Sequence, residues 1–326
     1  MTERPALVVG LNAVILAVTE DQPRVLTLPF ASDTPMEGGA EAGASEGLRM
    51  AEALPTGPLD PTGDLTLELA LRRWVRRYTG VDLGYVEQLY TFGDRFRDPR
   101  EEEGGARVLS VAYLALVRES PPPSGLRAHW RPAYAFLPWE DFRRGRPRLM
   151  DTIILPALGR WIDQGLGVEE KQLRRERASI AFGLGPTPLD GERVLERYEL
   201  LYEIGLVPEA DGGKDLGGCE MVYDHRRVLA TALGRIRAKL KYRPMIFELL
   251  PEHFTLFGLQ KAVESLAGRS LHKQNFRRLV LKGGLVEGTG RMESQTGGRP
   301  AELYRFRREV LLERPAPGVG LPGFRT

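Results

Sequence analysis

The sequence predicts an α+β chain of 326 residues in which a layered α/β body precedes a small helical domain closed by two strands. Three observations carry that prediction. Residues 256–282 read as two amphipathic helices around a glycine turn, and a strand pair follows them. Residues 6–117 alternate strand-like runs with one helix. Charge is divided unevenly: residues 225–326 hold 20 Lys+Arg against 8 Asp+Glu, a charge of +12, and residues 1–224 hold 26 against 36, a charge of −10. A net charge of only +2 therefore joins an acidic body to a basic end, as expected when the end alone meets a polyanion.

The body is predicted to occupy residues 1–150, and the length allows a second core beside it. Residues 6–18 form an apolar run long enough for a buried strand, with 24–30 as its hairpin partner. Residues 32–51, rich in Gly, Ala, Glu and Ser, have little to pack and read as a mobile surface insertion. A Gly/Pro-rich loop then leads to Asp64 as N-cap of a helix over 66–78 that Gly80 ends. Leu67, Leu71, Trp74, Val75 and Tyr78 give it an apolar face, and Arg72, Arg73, Arg76 and Arg77 give it charge. Strands are expected at 85–92, 108–117 and 130–139.

Residues 151–223 contain three helical stretches, 152–164, 169–182 and 190–204, read as a dimer surface in preference to added core. In 224–240, Val228, Leu229, Ala232, Ile236 and Leu240 fall on one stripe, suited to packing between two domains.

The basic end spans 224–312, with a flexible tail over 313–326. Thr255 is the expected N-cap of a helix over 256–267, and Gly268, Arg269 and Ser270 turn the chain into a second helix, LHKQNFRRLVLK, at 271–282. Leu271, Phe276, Leu279 and Val280 anchor that helix, and its other faces are basic. Strands at 285–287 and 301–306 flank a polar loop holding Arg291 and Arg299. This is the layout of a winged helix-turn-helix, whose second helix enters the major groove. Lys273, Gln274, Asn275, Arg277, Arg278, Lys282 and, from the wing, Arg299 are the expected DNA contacts. A basic helix alone is more often a solvated face than a reader of DNA. The turn, the wing and the charge division select DNA, with RNA or a protein as the alternative partner.

One cysteine excludes an intrachain disulfide, and four scattered histidines offer no metal-ligand spacing. The apolar start is broken by Gly10 and Asn12 and lacks the features of a signal peptide, so a cytoplasmic protein is expected, with no membrane partner.

The motif LPTG at 54–57, the loop-helix after it and the closing YTGV look like a degenerate Nudix box. With Gly80 laid on the last glycine of that box, Arg73 takes the arginine and Trp74 the first glutamate, while Arg77 and Tyr78 take the Glu-Glu pair. The earlier glutamate falls on Leu65, and Glu68 is the one acid inside the helix. Nudix hydrolases hold Mg²⁺ or Mn²⁺ with clustered carboxylates, because hard cations require oxygen ligands. An indole, a guanidinium and a phenol in those places argue against an enzyme and against a metal. Arg77 could still attract a pyrophosphate directly, or simply coat the helix as Arg72 and Arg76 do.

The chain resembles the Nudix-related transcriptional regulators of bacteria, several of which control NAD metabolism and sense ADP-ribose or a related nucleotide. The phrases RAKLKYRP, LLPEHFTLFGLQ, HKQNFRR and GRPAELYRF carry the resemblance through the basic end, and LYTFGDRFRDPR at 89–100 carries it more loosely in the body. It implies a Nudix-like α/β/α sandwich, a helical linker and a carboxy-terminal winged helix, assembled as a homodimer on palindromic double-stranded DNA. It also implies a repressor that responds to a small nucleotide effector and needs no cofactor. Arg95, Arg97 and Arg100 are the effector contacts it suggests beside Arg77; a solvated loop is their other reading. The competing expectation is a hydrolase of nucleoside diphosphate derivatives that draws its carboxylates from Glu68, Glu87 and residues 101–103.

Overall fold

A computed structural model describes residues 7–30, 51–95, 97, 101, 104–210, 213, 216, 218–293, 300–313 and 318. The expected insertion at 32–51 lies outside them, apart from Ala51, and so does nearly all of the tail.

Strands β1 (Leu7–Thr19) and β2 (Gln22–Phe30) form a hairpin. Thr19 pairs with Gln22, leaving a two-residue turn of Glu20 and Asp21, both at positive φ as a primed turn requires. Two short strands, β3 (Ala51–Ala53) and β4 (Thr56–Pro58), pair with β2 and β1. Helix α1 (Leu67–Thr79) precedes β5 (Tyr85–Phe92) and β6 (Arg107–Leu116), and β6 runs parallel to β1 in register Leu7↔Arg107 to Leu16↔Leu116. The main sheet has the order β3-β2-β1-β6-β5. Strand β1 lies at its centre, and the period-two geometry of a strand sends Leu11, Ala13 and Ile15 to one face and Val14 and Leu16 to the other. Each set enters its own apolar cluster, the first under α1 and the second continuous with the helices that follow. The result is a three-layered sandwich whose central run is apolar throughout because both faces are covered.

Helix α1 is capped by Thr66, whose hydroxyl accepts from the Leu69 amide, and not by Asp64. Asp64 instead accepts from the Asp60 amide and pairs with Arg73 at 2.6 Å, so a loop-closing role displaced the capping role expected of it. The strand expected at 130–139 is also corrected. Strand β7 spans only His129–Pro132, on β2, and two 3-10 turns, Ala133–Ala135 and Pro138–Glu140, carry the rest. Pro132 and Pro138 remove donors that a longer ladder would need.

A π-helical turn, Met150–Ile154, runs into α2 (Leu155–Asp163), followed by α3 (Gly167–Phe182) and α4 (Val194–Glu203). Ile154, Leu158, Phe182, Val194 and Leu201 are buried in the large core, so these helices extend the body. Their outer side keeps an apolar character: Leu166 and Val168 are 86% and 85% exposed, and Leu173 and Ile180 share one face of α3. Helix α5 (His225–Lys239) buries the whole predicted stripe.

The basic end holds a two-residue strand, β8 (Phe254–Thr255), helices α6 (Leu256–Ala267) and α7 (Lys273–Lys282), strands β9 (Val286–Glu293) and β10 (Ala301–Phe306), and a last turn, α8 (Val310–Glu313). Thr255 caps α6 by accepting from Gly258, as expected, and Gly268 ends it at φ 68°. The wing is a sheet of order β8-β10-β9, one strand more than the sequence implied.

Body and basic end meet in a buried polar cluster. Glu140, fully buried, accepts from Arg197 of α4 at 2.6 and 2.9 Å and from Arg237 of α5 at 2.5 Å. Arg237 continues to the Leu266 carbonyl of α6 at 3.1 Å, and the Tyr134 hydroxyl donates to the Ser265 carbonyl at 2.6 Å. Burial alone would raise the Glu140 carboxyl, but the two guanidinium charges outweigh it and hold the group below its ordinary range.

Candidate nucleic-acid interface and effector cavity

The recognition helix α7 is built by its buried side. Phe276 and Val280, one turn apart, fix it to the core, with Leu279 and Leu271 half-buried beside them. Gln260 and Glu264 of α6 set the entry: the Gln260 amide donates to the Leu271 carbonyl at 2.9 Å, and the Leu271 amide donates to Glu264 at 2.8 Å. The turn itself is docked on the body. Phe142 donates to the Gly268 carbonyl at 2.7 Å, Ser270 donates to the Arg143 carbonyl at 2.6 Å, and Ser265 donates to the Asp21 carbonyl at 2.7 Å.

With one side fixed, Lys273, Gln274, Arg277, Arg278 and Lys282 are all exposed. Asn275 is half-buried and accepts from Arg278 at 2.7 Å. His272, at the N-cap, makes no side-chain cap, so the amides of the first turn stay open toward an approaching phosphate. In the wing, Arg291 is exposed and Arg305 is tied to Glu287 at 2.5 Å, while Arg299 lies outside the described residues. Six of the seven side chains expected from the sequence to touch DNA, all but Arg299, thus share one helix, and a helix of this width fits a major groove.

The body holds a cavity of about 340 Å³. Its floor is a patch of small side chains on one face of the sheet: Val8, Gly10 and Asn12 of β1 beside Val108 and Ser110 of β6, in register Val8↔Val108 and Gly10↔Ser110. Thr56, Gly57 and Pro58 of β4 form one wall, and Thr56 donates to Asn12 at 2.5 Å. The roof comes from Tyr223, Asp224 and His225, at the head of α5. His225 accepts from the Leu54 amide at 3.0 Å through Nδ1, which places its proton on Nε2. Arg97 reaches into the same space and grips Asp224 with two hydrogen bonds, at 3.0 and 2.5 Å. Asn12, Ser110 and His225 were missed from the sequence, although the period-two run of small residues in β1 was a usable signal.

Arg77 and Arg95 do not line this cavity. Arg77 is exposed on α1 with its guanidinium over the Tyr78 ring. Arg95 is exposed and pairs with Glu101 at 3.6 Å, and Arg100 lies outside the described residues. Arg72 does more than coat α1, because it donates to the Leu83 and Gly84 carbonyls and so pins the loop after the helix.

Trp74 stands where the resembled box has its first glutamate. Its indole stacks on Tyr78 at 4.4 Å, donates to the Pro58 carbonyl at 3.0 Å, and lies so close to Gly57 that an added Cβ there would sit 2.1 Å from it. Glu68 pairs with Arg72 and Glu87 with Lys239, on different elements. Among the described residues no group of three His, Cys, Asp or Glu is arranged to hold a metal ion. No helix among them is long and apolar enough to cross a membrane.

A second, larger crevice of about 970 Å³ opens between β5 and the wing. Its lining mixes five cations, Arg118, Lys239, Arg243, Arg305 and Arg308, with four carboxylates, Glu248, Glu252, Glu287 and Glu309, and two of the cations are already paired, Lys239 with Glu87 and Arg305 with Glu287.

Comparison with known proteins agrees with this division. A family model described as the NrtR DNA-binding winged helix domain matches residues 246–306. The ADPR responsive transcriptional repressor NtrR of Acinetobacter baylyi is 38% identical over 87 residues, a match covering 27% of this chain and only 34% of the repressor. The crystal structure of Shewanella oneidensis NrtR complexed with a 27mer DNA superposes with a TM-score of 0.56 at 22% identity, over 93% of this chain and 94% of that one. A MutT/nudix family protein of Enterococcus faecalis superposes with a TM-score of 0.51 at 18% identity, over 94% and 88%. The chain thus has the fold of a Nudix-like body followed by a winged helix, and residues 246–306 match the NrtR DNA-binding winged helix domain.

Proposed function

We propose that this protein is a DNA-binding transcriptional repressor, acting as a homodimer, whose Nudix-like body senses ADP-ribose or a related nucleotide. Its regulated genes, on this reading, belong to NAD metabolism. The observation that carries the proposal is the recognition helix: five exposed polar or cationic side chains on an element held to the body by its buried side and its turn. The name of the Acinetobacter baylyi relative supports both the repressor role and the nucleotide. The cavity under the head of α5 supplies a place for that ligand, with Arg97 as its cation. A sensor without catalysis agrees with Trp74 filling the ligand position and with Glu68 and Glu87 engaged by separate cations. The homodimer accords with the exposed apolar face of α3 and with the two-fold symmetry that a palindromic operator imposes.

Selection of bound duplexes from a genomic library tests the proposal. Enrichment of inverted half-sites about 10–10.5 base pairs apart, or a multiple of that spacing, is expected. Recovery of duplexes without shared sequence would count against it.

A further inference from the structure

The head of α5 is unusual in two ways. Asp224 occupies the N-cap position, where an aspartate ordinarily accepts from amides of the first turn, yet it makes no such bond, and its carboxylate is turned onto Arg97. Its ψ of 21° is also far from the extended backbone of a capping residue. Tyr223, immediately before it, has φ 52°; the only other non-glycine residues at positive φ among the described residues are the two of the β1–β2 turn. A bulky residue held there marks stored strain at the cavity roof. Arg97 is itself the cation of the cavity, so a carboxylate of the chain occupies the guanidinium that a phosphate would seek.

We propose that Asp224 is a tethered competitor for the anion site on Arg97, and that a phosphate-bearing ligand displaces it and frees it to cap α5. The proposal rests on the nucleotide-sensing reading given above. The two states exchange partners: in one, Arg97 holds Asp224 and α5 has no side-chain cap, although the His225 amide donates to the Val222 carbonyl at 3.1 Å; in the other, Arg97 holds the ligand and Asp224 serves the helix. Such an exchange gives the ligand a differential interaction with two arrangements of one element, which is what a population shift requires. The change also has a route. Helix α5 spans about 22 Å at 1.5 Å per residue. Near its far end Arg237 bonds Glu140 and the Leu266 carbonyl beside the turn that leads into α7.

The test combines calorimetric titration with ADP-ribose and anisotropy on duplex DNA, applied to the full-length wild type, D224N, D224A and R97Q. D224A removes the acceptor and D224N replaces a bidentate ion pair by a neutral amide, so both loosen the hold on Arg97 and are expected to bind ADP-ribose roughly five- to tenfold more tightly than wild type, while R97Q loses binding. Asparagine caps a helix and alanine does not. The DNA affinity of unliganded D224N should therefore move to that of wild type saturated with ADP-ribose, and that of D224A should not. Wild-type affinity for ADP-ribose in both Asp224 variants would overturn the competition. Equal DNA affinities for D224N and D224A would overturn the capping step. Failure of the wild type itself to bind ADP-ribose would overturn the nucleotide reading and this proposal with it.

Discussion

At the scale of single residues, the recognition helix makes the sharpest claim. Arg277 and Arg278 are exposed while Phe276 between its neighbours is buried, so trimming either arginine tests recognition without touching the core. Arg277→Ala or Arg278→Ala should cost about 1–3 kcal/mol of operator binding where the residue reads a base. An equal loss on unrelated duplex would mark a phosphate contact instead. Gly57 makes a separate claim in the body. A methyl group there must push the Trp74 indole aside, and Gly57→Ala should destabilise by about 1–3 kcal/mol in chemical denaturation. An unchanged midpoint would show that the Trp74 indole is not packed tightly against Gly57. The arginines of the recognition helix were legible in the sequence because a basic face on an amphipathic helix is a local pattern. Arg97 was legible only as a charge: its bidentate partner is 127 residues away, a distance that no local pattern spans.

At the scale of elements, the Glu140, Arg197 and Arg237 cluster ties the body, the inserted helices and the linker helix together. Glu140→Gln leaves two buried guanidiniums without their anion and should cost about 3–5 kcal/mol. The pH dependence has a definite sign. The folded carboxyl titrates below its ordinary value of 4.5, so the contribution is complete above that pH and is lost as pH falls through the folded value. Wild-type melting temperature should drop with acid in that range, and the drop should be smaller in Glu140→Gln; parallel curves would contradict the assignment. Helix and strand positions followed from periodicity over most of the chain. They failed where residues distant in sequence intervened: Asp64 was taken by Arg73, which left the cap to Thr66, and the segment after β7 turned inward to place Trp139 and Glu140 in the core. The sequence also offered the inserted helices as either core or dimer surface, and they bury one side in the core while exposing Leu166 and Val168 on the other.

For the whole molecule, the division between an acidic body and a basic end makes salt the controlling variable. If six to ten phosphates are contacted by a dimer, affinity should fall by roughly 10³–10⁵ between 50 and 200 mM salt. A flat salt response would remove the polyanion from the account. The proposed coupling of cavity to recognition helix also belongs to the whole chain, since α5 meets the cavity at its head and the docked turn near its end. The most direct measurement is fluorescence anisotropy of the purified protein on duplex DNA from its own upstream region and on scrambled duplex, titrated with ADP-ribose at fixed salt. The account predicts tighter binding to the upstream duplex and a change in that affinity when ADP-ribose is added. Equal binding to both duplexes, unaltered by ADP-ribose, would contradict it.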